Sequence, residues 1–231
     1  MAAGGLGIPV RAIVVRIDPS RFRFALQAVK GARRPNVWTV DSATSTAAFA
    51  VNAGQFKEAG AWGWVRMGGL DRGLPGSGPL AWGVAFDTAG TVHWIAPHEF
   101  AAARRNRAIM HAFQSYPTLL VDGHVPVQAL DRTLIDQTHR DARLIMAETY
   151  DGALLFVLTR FDALGGTAAR VPIGLTLPES IALSRALGAR YAIMLDGGIS
   201  AQMLVRTQAD DRVWRGMRSV PLGLVALPLK P

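Results

Sequence analysis

Tyr191-Ala192-Ile193-Met194-Leu195-Asp196-Gly197-Gly198-Ile199-Ser200 is a short apolar run that delivers one carboxylate onto two glycines. The run reads as a buried strand, and the glycines permit a sharp bend and a close approach by a ligand. An Asp-Gly pair also closes turns through its own backbone, so Asp196 is either a site carboxylate or a turn residue. Immediately upstream, residues 178–187 read as a helix. Thr176 is placed to cap it, Pro178 and Glu179 suit its first turn, and Gly188 stops it. A helix feeding such a strand points to a mixed α/β architecture.

Further out, the apolar segments are short and turn signals recur between them, the pattern of a chain with many strands. Residues 10–17 are rich in β-branched side chains and end in Asp18-Pro19-Ser20; residues 22–29 are expected to pair with them as a hairpin. Residues 47–51 form another strand, running into Asn52-Ala53-Gly54-Gln55-Phe56. Residues 58–79 are dense in glycine, with Trp62, Trp64 and Arg66 interspersed, and read as a long loop. Two glycine-turned hairpins follow, 82–86 with 91–95 and 142–149 with 153–159. Residues 203–206, 212–214 and 222–227 then close a sheet. The expected fold is α+β, a largely antiparallel mixed sheet with flanking helices, in one domain spanning residues 1–231.

Composition narrows the function. The chain has 231 residues, half of them hydrophobic and 18% charged, enough to bury a core and globular in balance. No stretch approaches the apolar length of a membrane span. The start, Met1-Ala2-Ala3-Gly4-Gly5-Leu6-Gly7, lacks the charged and long apolar regions of a signal peptide. Absence of cysteine removes disulfides, thiolate catalysis and cysteine metal sites. The net charge of +8 is nearly all arginine and scattered. Its densest cluster, Arg104-Arg105-Asn106-Arg107, lacks the interleaved aromatics that stack bases, and no nucleic-acid partner is expected. His93, His98, His111, His124 and His139 show no metal-motif spacing, so neither metal nor cofactor is expected. Gly73-Leu74-Pro75-Gly76-Ser77-Gly78-Pro79 lacks the lysine of a phosphate loop, and Ser200 is not in a nucleophile elbow.

Polar residues at the ends of apolar runs are the candidates for chemistry: Asn52, Ser115 and Asp196. Rigid elements that present loop residues together commonly build sites. Asn52 also suits a left-handed turn, and Ser115 a turn hydroxyl. Arg140, before the second hairpin, offers a planar fork to a phosphate or carboxylate; in so arginine-rich a chain it is equally a solvated surface residue.

In order, these pieces resemble the phosphodiester glycosidase family, known for uncovering the mannose 6-phosphate signal by removing N-acetylglucosamine. Asn52-Ala53-Gly54-Gln55-Phe56 is similar to the family's Asn-Gly-Gly-aromatic-Phe block, and Ser115-Tyr116-Pro117-Thr118-Leu119-Leu120-Val121-Asp122-Gly123 to its Ser-Gly-Pro-x-Leu-Val-x-x-Gly block. His139-Arg140-Asp141-Ala142 stands where the family has Pro-Arg-Thr-Ala. Leu175-Thr176-Leu177-Pro178-Glu179 and Leu195-Asp196-Gly197-Gly198-Ile199-Ser200 resemble its Thr-Leu-x-Glu and Leu-Asp-Gly-Gly-Gly-Ser blocks. The likeness runs from Ala47 through Met203. Ala53, Gln55, Tyr116, Asp141 and Ile199 depart from the family's residues.

The resemblance implies hydrolysis of a sugar 1-phosphodiester in a glycan or cell-envelope polymer, in an extracytoplasmic setting. Asp196 would be nucleophile or general base and Arg140 the phosphate clamp. Asn52, Gly54, Ser115, Gly197, Gly198 and Ser200 would hold sugar or phosphate, with Asn52, Ser115, Arg140 and Asp196 lining one pocket. Glu179 suits a helix start on electrostatic grounds alone. The alternative is a non-catalytic glycan-binding domain on the same fold, in which Trp62 and Trp64 stack on sugars or, failing that, fill the core.

Overall fold

The computed structural model describes residues 7, 9–29, 37–162 and 171–229. The signal-peptide reading of the first seven residues lies, apart from Gly7, outside them. Three five-stranded antiparallel sheets surround one core. The first runs, edge to edge, Val10–Ile17, Leu154–Phe161, Leu144–Thr149, Ala189–Leu195 and Thr118–Leu120. The second runs Leu70–Gly73, Val65–Met67, Ile109–Ser115, Trp82–Asp87 and Val92–Ile95. The third runs Asp211–Trp214, Met203–Arg206, Phe49–Asn52, Gly223–Pro228 and Phe22–Gln27.

Apolar side chains from the inner faces of all three sheets meet in the middle. Phe156 of the first sheet packs on Phe49 of the third at 4.5 Å between ring centroids. Phe24 of the third stacks on Phe86 of the second at 5.1 Å. The outer faces are covered too. Leu177 and Ile181 of the helix Leu177–Ala186 lie on Ile145, Val157 and Met194. Phe100 and Ala103 of the short helix Phe100–Arg105 lie on Trp64, Ile95 and Ala112. Trp38 and Val40 cover Ala50, Leu204 and Val225 of the third sheet. Strands buried on both faces need no polar alternation, which is why Leu144–Thr149 and Leu154–Phe161 read as nearly continuous apolar runs.

The antiparallel α+β architecture is as expected, as are the hairpins joined near Gly90 and Gly152. The helix begins with a capping box. Thr176 accepts the N–H of Glu179 at 3.3 Å, while the Glu179 carboxylate accepts the N–H of Thr176 at 2.8 Å. Two expectations are corrected. Val10–Ile17 and Phe22–Gln27 do not pair with each other. The 3-10 turn Pro19–Arg21, capped by Asp18, sends them into different sheets, where each pairs along its whole length with a distant strand, Leu154–Phe161 and Gly223–Pro228. Residues 58–79 are not one loop. Gly68-Gly69, both at positive φ (+59° and +79°), close a two-residue hairpin between Val65–Met67 and Leu70–Gly73. Among the described residues no helix is long and apolar enough to cross a membrane.

Candidate functional site

The strands Phe49–Asn52, Ile109–Ser115 and Ala189–Leu195 belong to three different sheets, and their ends converge under Asp196. The Asp196 N–H donates to the Gly54 carbonyl at 3.0 Å, and its own carbonyl accepts from Asn52 Nδ2 at 2.8 Å. Asn52 Oδ1 in turn accepts the N–H of Gln202 at 3.0 Å. Two residues earlier, the Met194 carbonyl accepts the Ser115 hydroxyl at 2.6 Å. Gly54 sits at φ +66°, and a Cβ there would lie 3.0 Å from the Gln114 carbonyl oxygen, so glycine is required.

Asn52 and Ser115 are thus brought to Asp196, but from beneath. Both are 0% exposed, and their polar atoms are committed to backbone groups that hold the Asp196 loop. Replacing Asn52 by leucine would leave the Asp196 carbonyl and the Gln202 N–H without that amide. At about 1–3 kcal/mol for each buried orphan, we expect a loss of about 2–5 kcal/mol in a denaturant melt. A loss below about 1 kcal/mol would show that the loop is held by other means.

Asp196 itself is largely buried. Its Oδ2 has no hydrogen-bond partner among the described residues, and the Ser200 hydroxyl bonds to the carboxylate. Burial pushes the Asp196 carboxyl above the ordinary aspartate range and the charge of Asp141 adds to this, whereas Ser200 and Arg218 pull it down. Gly197 and Gly198 lie flat on the segment from Asp141 to Arg143. Gly198 N donates to the Ala142 carbonyl at 2.7 Å. A Cβ on Gly197 would overlap that carbonyl oxygen, and one on Gly198, at φ +57°, would lie 2.9 and 3.1 Å from the two Asp141 oxygens. Asp141, which the sequence offers as a departure from the family's block and not as a site carboxylate, stands against this loop. Burial raises its pKa as well, against the opposing charges of Arg143 and His139 and the N–H of Ala142.

The two arginines near this loop differ in what they hold. Arg140 makes a bidentate pair with Glu179 at 2.8 and 2.7 Å and donates to the Gly174 carbonyl at 3.1 Å. Glu179 is occupied by that pair and by the helix cap. Arg218 has no carboxylate in salt-bridge contact among the described residues. Its guanidinium lies 4.9 Å over the Phe56 ring, and its charge reaches Asp196. The loop that carries it is fastened to the site by the Arg218 N–H, which donates to the Ile199 carbonyl at 3.1 Å. No motif in the sequence separates Arg218 from the other scattered arginines.

Phe56 leads from Arg218 into a cavity of about 410 Å³ whose walls include Gln55, Trp62, Leu80, Tyr116 and Pro117. Trp62 and Tyr116 meet edge to face at 5.2 Å, and Tyr116 is 46% exposed. Trp64 is not part of this wall. It is fully buried, and its indole N–H donates to Asp71 at 2.9 Å. Of the arginine cluster, Arg104 is paired with Asp71. Among the described residues no group of three or more metal-ligating side chains stands together.

Residues 45–227 match the profile of the phosphodiester glycosidase family. No curated protein sequence matches the chain. Several solved structures are similar in fold. A hypothetical protein from Synechocystis superposes with a TM-score of 0.67 at 14% identity, over 94% of this chain and 59% of that one. This chain therefore spans about three-fifths of that protein's length. The catalytic domain of zebrafish N-acetylglucosamine-1-phosphodiester alpha-N-acetylglucosaminidase, auto-inhibited by its pro-peptide, gives 0.64 at 15% identity, over 99% of this chain and 86% of that one. A candidate exported protein from Burkholderia pseudomallei gives 0.64 at 15% identity, over 94% and 74%.

Proposed function

The chain belongs to the phosphodiester glycosidase family, and we propose on that premise that it is a hydrolase cleaving the bond between a sugar and phosphate in a glycan or cell-envelope polymer. The observation that carries the reading is Asp196: a largely buried carboxylate with one oxygen unpartnered among the described residues, on a backbone held by Asn52 and Gly54 and by Ser115 two residues away. Sugar 1-phosphodiester hydrolysis passes through an oxocarbenium-like transition state, and a phosphomonoester departs readily with little proton assistance. One carboxylate at the anomeric carbon and one cation on the phosphate then suffice, through positioning and charge stabilisation.

Asp196 is assigned to the anomeric carbon, as nucleophile or general base. Arg218 is assigned to the phosphate, since Arg140 is occupied by Glu179. Gly197, Gly198 and Ser200 shape the loop and orient the carboxylate. Asn52, Gly54 and Ser115 support it from below. An extracytoplasmic location is proposed with the polymer substrate, and the candidate exported protein of similar fold supports it.

The test is hydrolysis of nitrophenyl-phosphate diesters of a panel of sugars, followed by nitrophenyl phosphate release. Release with a defined sugar preference is expected. Retention on an immobilised glycan with no turnover of any diester would favour the second reading, a glycan-binding domain, for which the Trp62 and Tyr116 pair lining the cavity is the supporting observation.

A further inference from the structure

Resting on the reading of Asp196 and Arg218 as the sugar and phosphate ends of the site, we propose that the cavity beyond Phe56 is the leaving-group subsite, that it takes a phosphomonoester bearing an apolar ring, and that Trp62 and Tyr116 set this preference. The cavity grows out of the same segments that hold the Asp196 loop. Gly54, whose carbonyl accepts the Asp196 N–H, is followed by the wall residues Gln55 and Phe56; Ser115, which donates to the Met194 carbonyl, is followed by Tyr116 and Pro117. The Pro117 carbonyl in turn accepts the Met194 N–H at 3.0 Å. Arg218 joins the two ends, since its N–H donates to Ile199 at 3.1 Å while its guanidinium lies 4.9 Å over the Phe56 ring. A diester with its anomeric carbon at Asp196 and its phosphate at Arg218 therefore sends its far substituent past Phe56 into the cavity.

The aromatic wall is preformed. Gln55 Nε2 donates to the Tyr116 carbonyl at 3.0 Å, and the Trp62 N–H donates to the Gln55 carbonyl at 2.8 Å. Behind Trp62 lies the backbone of Gly76, where any side chain would overlap the indole. Gly76 is itself clamped by the fully buried Gln114, which accepts its N–H at 2.8 Å and donates to its carbonyl at 2.9 Å. Trp62 and Tyr116 meet with 70° between their planes, a corner in which a third ring stacks on one and meets the other edge to face.

The lining selects the occupant. Phe56, Leu80, Pro117 and Ile135 complete the apolar wall, Lys57 and Ser77 are exposed to solvent, and the Gln55 amide nitrogen is engaged by Tyr116. A polyol buried there would leave hydroxyls without partners, whereas an apolar ring gives up only its water. Tyr116 stands where the family's block has glycine, so this side of the corner is the chain's own.

In the cleavage, water brings its oxygen and one hydrogen to C1 and gives its other proton to solvent. The electrons of the broken C1–O bond leave on a phosphate oxygen, and the substituent keeps its own bond to the phosphate. Methyl and benzyl phosphate depart with similar ease, so a difference between them reports on the cavity.

The test measures kcat/KM on the methyl, benzyl and glucos-6-yl 1-phosphodiesters of glucose, N-acetylglucosamine, mannose and galactose. Benzyl is expected to exceed methyl by about 10- to 100-fold, the contribution of burying one aromatic group. In Trp62→Ala and in Tyr116→Ala the benzyl-to-methyl ratio should fall to about threefold or less as that burial is lost, whereas Tyr116→Phe, which keeps the ring, should retain it. If Trp62→Ala fails to fold, Tyr116→Ala decides, because that side chain is exposed. A ratio near one in the wild type, a ratio unchanged in Tyr116→Ala, or preference for the glucos-6-yl over the benzyl diester overturns the apolar subsite while the phosphodiesterase reading stands. No turnover of any diester overturns both.

Discussion

Asp196→Asn is expected to abolish most turnover of a sugar 1-phosphodiester, by about 10²–10⁴-fold, and at the same time to stabilise the protein at neutral pH. The two effects have one cause. Burial raises the Asp196 pKa in the folded state, so between the unfolded value and this raised value the native protein binds more protons than the unfolded chain. Stability from this group is therefore lost as pH rises through the folded pKa. Asparagine keeps the size and can still accept from Ser200, but it carries no charge to desolvate. Thermal melts should show a higher Tm for Asp196→Asn above that pKa and a difference that shrinks as pH falls. Retention of near wild-type turnover would make Asp196 a turn residue only. Three other carboxylates are ill placed to replace it: Glu179 is held by Arg140 and the helix cap, Asp122 pairs with Arg190 on the surface, and Glu148 pairs across from Tyr191 at the far end of the same strand.

Much of the fold could be read from local signals, because its elements are separated by glycine turns and the helix Leu177–Ala186 carries both a cap and a stop. What could not be read was which sheet each strand joins. Val10–Ile17 and Phe22–Gln27 are adjacent in the chain and both β-rich, and only the distant partners Leu154–Phe161 and Gly223–Pro228 separate them. Gly68-Gly69 was hidden for a related reason: a glycine-dense stretch masks a two-residue turn. At the site, the order of motifs brought Asn52, Gly54, Ser115 and Asp196 together, yet not their roles. Burial decides whether an amide contacts a ligand or a backbone carbonyl, and burial here arises from three sheets meeting. Asp141 and Arg218 show the opposite failure. Arg218 carries no signal in the sequence and Asp141 only a departure from the family's block; each is defined by what packs opposite it, the ring of Phe56 and the bare Cα of Gly198.

The two arginines give the second large contrast. Arg218→Gln removes a cation that has no carboxylate in salt-bridge contact among the described residues, so a bound phosphate would lose a charge-assisted hydrogen bond of about 1.5–3 kcal/mol, or about 10- to 150-fold in kcat/KM. Arg140→Gln removes a solvent-screened pair with Glu179, and should lower Tm slightly while leaving phosphodiester kinetics near wild type. Arg218→Lys keeps the charge but loses the planar fork and its stacking on Phe56, and should fall between. The Arg218 charge also holds the Asp196 pKa down. Its removal should therefore move the acidic limb of the kcat profile to higher pH, since less Asp196 is ionised at any given pH. A loss in Arg140→Gln that exceeds the loss in Arg218→Gln, with no shift of the acidic limb in the latter, would return the phosphate clamp to Arg140 and require the Glu179 pair to open when substrate binds.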